Sequence, residues 1–217
     1  GAVGMKIVKE NIKNVLNSNF IFMSIVALLL GMLVFVGGDT GFQISNYDYK
    51  SLVLKGYVLI FIFFAIELSK SLLQKEKISG KLEWFIANGV SFGRICTWQS
   101  FSLFIATSIL LGPLLICASF YVKAFSFLDM LDYFMLTFFC SILINESILL
   151  IKNMNNFRTL NLYIPIFYTI ILIGEVIVSL LTESIYISLA VRYLILCAAV
   201  LILERFISNE RITSAYF

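Results

Sequence analysis

"LNLYIPIFYTIILIGEVIVSLL", residues 160–181, holds a single ionisable side chain, Glu175, in a run long enough to cross a bilayer. A helix needs about 20 residues to span the hydrocarbon. The rest of the chain repeats this pattern. Of 217 residues, 60% are hydrophobic and 13% are charged, with a mean hydropathy of +0.97. A water-soluble domain carries charge on roughly a quarter of its residues, so no water-facing surface can be built from this composition. Two prolines and uninterrupted apolar runs point to helices; the ~10-residue alternating segments of a membrane barrel are absent. The expected fold is all-α and polytopic.

Six spans are expected: Phe20–Val36, Leu52–Leu72, Ile95–Tyr121, Met130–Ile151, Leu160–Leu181 and Ile185–Phe206. Pro113 and Pro165 fall inside two of them, where each removes an internal backbone bond and favours a kink. Residues 5–217 read as one transmembrane domain. Gly1–Gly4, ahead of Met5, reads as a leftover of cloning, and the first apolar run is long enough to span rather than to be cleaved. Basic residues assign the sides. Lys6, Lys9, Lys13, Lys70, Lys75, Lys77, Lys81, Arg94, Lys152, Arg158, Arg205 and Arg211 fall in alternate connections and at both ends. Those segments therefore face the cytoplasm, with both termini inside. Tyr47, Tyr49, Tyr57 and Tyr121 lie near the expected outer boundaries, as interfacial anchors do. Lys55 stands close enough to that surface to snorkel.

Composition also excludes several functions. The +3 net charge is scattered at span ends, which is what topology requires and not a nucleic-acid footprint. Cys96, Cys117, Cys140 and Cys197 lie in or beside apolar runs without metal-type spacing, and read as small buried apolar residues. Histidine is absent, which removes His-based zinc sites, Ser–His and Cys–His pairs and His proton relays. No paired glutamates and no deeply placed lysine support an intramembrane protease. No catalytic and no metal-binding residue is expected.

Two amphipathic pieces belong to the inner side. Met5–Asn17 places Val8, Ile12, Val15 and Leu16 on one stripe, as in a helix lying along the membrane face. The second is "EKISGKLEWFIANGVSFGR", residues 76–94, between the second and third spans. Ile78, Leu82, Phe85 and Ile86 recur at helical spacing; Ser79 can cap a helix entered at Gly80, and Asn88-Gly89 can stop it. The result is a transverse helix of about two turns over residues 79–88. That is too short to be stable alone.

Glu76, Gly80, Leu82, Glu83, Ala87 and Ser91, read as E-x-x-x-G-x-L-E-x-x-x-A-x-x-x-S directly after the second expected span, resemble the coupling segment of ABC-2 type transporter permeases. That family reads roughly E-[KR]-x-x-G-T-L-E-x-L-L-A-x-P-[VI]-S. Here Lys81 replaces the usual Thr and Gly89 the usual Pro, and the motif covers under a tenth of the chain. The resemblance implies that Glu76, Ser79, Gly80, Lys81, Leu82, Glu83, Phe85 and Ile86 dock on a cytoplasmic ATP-binding subunit. The apolar side would seat the helix, and the charged side (Glu76, Lys81, Glu83) would set register. It implies further a second permease copy or a sister permease. ATP and Mg would belong to the partner: Gly80-Lys81 lacks the upstream glycine of a phosphate-binding loop, and Leu82 follows the lysine.

Four ionisable residues inside apolar runs are candidates for a role in the membrane: Glu67, Glu146, Glu175 and Arg192. Glu175 and Arg192 fall at similar depth and can pair or line a pathway. Glu67 and Glu146 lie toward the inner side, where they can support a gate or helix packing. Apolar walls rich in Phe, Leu and Ile suit a hydrophobic or amphipathic cargo. Compact permeases of the resembled family imply export of peptides such as bacteriocins or toxins, self-immunity, or drug export, in a bacterial cytoplasmic membrane. The Lys-, Asn- and Ile-rich composition fits a low-GC bacterium. The alternative reading is a non-transporting membrane immunity protein or receptor scaffold.

Overall fold

The computed structural model describes residues 9, 12, 23–29, 49–121, 126–151, 156–182 and 184–207. Every regular element among them is helical. The expected interfacial helix at 5–17 and first span at 20–36 lie mostly outside the described residues; Lys9, Ile12 and residues 23–29 are helical.

Helix α1 (Tyr49–Ser69) passes through a π-helical turn at Lys70–Gln74 into α2 (Lys75–Ile78). The expected second span therefore runs further than its apolar core. Ser69 and Ser71 turn their hydroxyls back onto the carbonyls of Ile66 and Leu68, the local bonding by which such residues adjust a helix. After Gly80 comes α3 (Lys81–Ala87), then α4 (Phe92–Tyr121), α5 (Phe127–Leu150), α6 (Phe157–Thr182) and α7 (Ile185–Phe206). Pro113 and Pro165 sit inside α4 and α6. Among the described residues, five stretches are long and apolar enough to cross a membrane: Val53–Ile78, Phe92–Ala118, Phe127–Leu150, Leu162–Thr182 and Ile185–Phe206.

Helix α5 packs against α1, α4, α6 and α7, and α1 also meets α4 and α6. Tyr57, Phe61, Ile62 and Ile66 of α1 and Leu103, Leu110, Leu111 and Leu114 of α4 make up much of the core. Tyr57 is therefore a core residue and not the interfacial anchor expected of it. Its neighbours along the helix face α4 and α5, so this side of α1 turns inward. The outward faces are as greasy as the core. On α6, Leu162, Ile166, Ile170, Ile173, Ile177 and Leu181 are all exposed at helical spacing. Water would not tolerate such a stripe, whereas lipid does. The molecule is a membrane protein. Cys96 and Cys140 are buried as expected, but Cys117 and Cys197 lie on the outer surface of their helices.

Candidate functional site

Polar side chains gather in two layers at opposite ends of α5. The first surrounds the short helix α3. Gly80 (φ +70°) and Gly89 (φ +76°) frame it, both in the left-handed region that other residues enter at a cost. At its C-terminus, Val90 N–H reaches Phe85 C=O (3.0 Å) and Gly89 N–H reaches Ile86 C=O (3.0 Å), the paired bonds by which glycine closes a helix. Asn88-Gly89 thus stops the helix as its sequence suggests. The start differs. Gly80 is the cap, with no side-chain bond, while the Ser79 hydroxyl donates backward to Glu76 C=O (3.1 Å).

Leu82 and Phe85 are buried against Ile95 and Cys96 of α4 and Leu149 of α5, with Ile86, Trp98 and Ile207 alongside. Burying two such side chains contributes about 1.5–3 kcal/mol each, which a two-turn helix needs from outside itself. Ile78 does not join them and is 42% exposed, because the left-handed Gly80 breaks the helical register between the two. Trp84, not singled out by spacing, is 61% exposed; Glu83 is exposed beside it.

Glu76 and Lys77 are held inward. Glu76 is 6% exposed and accepts from Gln99 Nε2 of α4 (2.8 Å) and from Lys81 Nζ (2.6 Å). Its carboxylate is turned toward Gln99 and Lys81. Lys81 is spent on the same carboxylate and lies 5.9 Å from the Phe85 ring. Lys77 is 2% exposed, and its ammonium donates to the carbonyls of Leu149 (2.7 Å), Ile151 (2.6 Å) and Ile148 (3.4 Å). The Leu149 carbonyl is one that the end of α5 leaves without an intrahelical donor, the Ile148 carbonyl also accepts from Ile151 N–H (3.2 Å), and a cation there meets the negative end of the helix dipole. One turn earlier on α5, Asn145 Nδ2 donates to Cys96 C=O (3.0 Å) and Ser100 Oγ (2.9 Å). The segment around α3 is thus bolted to α4 and α5. Glu146 is buried beside this layer, and its Oε2 has no hydrogen-bond partner among the described residues. Glu67 is exposed and pairs with Lys70 one turn along its own helix.

The second layer lies about 26 Å away along α5, taking 1.5 Å per residue from Leu149 back to Asp132. Glu175 of α6 accepts from Lys55 Nζ of α1 through Oε1 (2.9 Å) and from Arg192 Nη1 of α7 through Oε2 (3.1 Å). Arg192 also bonds Asp132 of α5, and Tyr193 O–H donates to Asp132 Oδ1 (2.7 Å). Tyr168 O–H donates to Lys55 C=O (3.2 Å). Glu175 and Arg192 therefore pair. Lys55 does not snorkel: its side chain is buried, because Glu175 and the Tyr168 hydroxyl hold that turn of α1 against α6. Two cations and two carboxylates from four helices sum to zero charge, which is what makes ionised groups tolerable at membrane depth. Sequence reasoning missed Asp132, whose partner on α7 is sixty residues away.

No group of three or more His, Cys, Asp or Glu able to hold a metal occurs among the described residues. No protein-family model, curated protein or solved structure matches this chain.

Proposed function

We propose that this chain is the membrane-spanning permease subunit of an ATP-driven exporter of the ABC-2 type. The observation that carries the reading is the short helix α3, which is framed by two left-handed glycines and tied to the ends of two membrane-spanning helices by Leu82, Phe85, Glu76 and Lys77. An element so held transmits force instead of absorbing it. Its exposed side offers Trp84 and Glu83, an aromatic anchor with a charge beside it, as interfaces use. A separate ATP-binding subunit docks there in the cytoplasm and supplies ATP and Mg. A second copy or a sister permease completes the pathway, in a bacterial cytoplasmic membrane with both termini inside. The cargo is a hydrophobic or amphipathic peptide or drug.

Gentle solubilisation and affinity purification test this. A stoichiometric ATP-hydrolysing partner is expected, and Trp84→Ala should weaken its association tenfold or more, on the order of 2 kcal/mol. Gly80→Val, which forces a branched side chain into the left-handed region, and Glu83→Lys should separate ATP turnover from transport without preventing membrane insertion. Normal coupling in both variants, or the lack of any such partner, would leave the immunity-protein or scaffold reading in its place.

A further inference from the structure

Ala65, Ser69, Leu73 and Lys77 follow at intervals of four, and all are buried. An α-helix turns about 100° per residue, so each such step drifts by about 40° and three of them carry Lys77 about 120° off the face of Ala65. The π-helical turn at Lys70–Gln74 takes in one residue more than an α turn, which sets the chain back by about 100°. This turn keeps Leu73 and Lys77 on the inward face and brings the Lys77 ammonium to the Leu149 and Ile151 carbonyls. Such turns are rare, so this one is held open by the contacts it makes possible.

We propose that the π turn is a register switch. Closing Lys70–Gln74 to an α turn advances α2 by one place. Glu76 then stands where Lys77 stood, Lys75 where Glu76 stood, and Lys77 at the exposed place of Ile78. Signs alternate through Lys75, Glu76 and Lys77, so the shift reverses the charge at both buried places. At one of them a carboxylate meets the last carbonyls of α5 and the negative end of its dipole, and is repelled. At the other, Lys75 meets Gln99, whose Oε1 is buried without a hydrogen-bond partner among the described residues. The end of α5 is therefore the catch. In place, it holds the turn open; withdrawn, it lets the turn close, and α3 follows through Gly80.

This deepens the exporter reading by naming the joint through which α3 and the bundle move each other, and it rests on that reading only for the role of α3 in docking. The switch itself is internal to the chain and is tested without a partner. The full chain, purified in a neutral detergent, is treated briefly with a water-soluble acetylating ester, and the modified lysines are read by mass spectrometry. In the parent, exposed Lys75 should react and buried Lys77 should not. Gln99→Glu repels Glu76 and attracts Lys75, and it should exchange the two. Lys75 becomes protected and Lys77 reactive, with the ratio of their modification shifted about tenfold or more, the scale of one hydrogen bond to a charged group. Deleting Ser71, which is exposed within the turn, removes the extra residue and leaves Lys77 in its place. That deletion should melt no lower than the parent and, combined with Gln99→Glu, restore the parent pattern. Deleting Lys70 instead should do the same. The proposal is overturned if Gln99→Glu makes both lysines reactive, which is loosening without a shift, or alters neither. It is overturned equally if the pattern stays exchanged after either deletion, or if neither deletion folds. A missing ATPase partner, by contrast, defeats the exporter reading and leaves the switch standing.

Discussion

At one end of the bundle, two cations meet two carboxylates from four different helices. At the other, a lysine meets three backbone carbonyls, and a glutamate is shared between an amide and a second lysine. The first arrangement joins elements up to 120 residues apart in sequence through the charges of their side chains. The second joins a short helix to its neighbours, largely through backbone atoms that any sequence would supply. Side-chain pairs of the first kind can exchange partners, whereas a helix end capped by a buried ammonium has one arrangement. The layer beside α3 is thus held largely by backbone carbonyls, and the layer near Asp132 largely by paired side-chain charges.

The sharpest way to break this contrast is Arg192→Met. It strips Asp132 and Glu175 of the cation they share, and leaving buried charge uncompensated costs about 3–5 kcal/mol. Thermal unfolding in detergent should show a large fall, and Arg192→Met/Asp132→Asn should recover much of it. A double variant no better than the single would mean that the charges do not act as a set. Lys77→Met comes next. It preserves the bulk of the side chain but leaves the end of α5 without its donor, at about 2–3 kcal/mol. Its signature should be local: faster proteolysis within Ser79–Ser91, with the Arg192 layer still resistant. Equal loosening at both ends would erase the distinction between them. Glu67→Gln should do least. Its pair with Lys70 is exposed and lies along one helix, and a change within about 0.5 kcal/mol is expected in the same melt.

Membrane residence and the five described spans were legible because a stretch such as residues 160–181 has no other use for its composition. Helix ends were less so. Helix α5 begins three residues before the expected span, since the capping box of Ser126 and Asp129 draws Phe127 and Leu128 into the helix despite their exposure. The stop at Asn88-Gly89 could be read from turn chemistry alone. The direction of Glu76 could not: a carboxylate between two lysines reads as solvated, and only the fold brings Gln99 beneath it. Lys55 failed for the same reason, as its partner lies on α6. Glu175 and Arg192 were easier, being ionisable residues on adjacent spans at matching depth. Trp84 was passed over because it falls off the apolar stripe, although a tryptophan off the stripe is one that faces outward.

The zero sum of Lys55, Arg192, Asp132 and Glu175 has an electrical consequence. Carrying one elementary charge through the full potential of a membrane takes about 2.3 kcal/mol per 100 mV. A quartet that shifts as a block carries none, so the resting voltage of the cell neither drives nor resists its displacement. The work of rearranging this end would then have to come from chemistry.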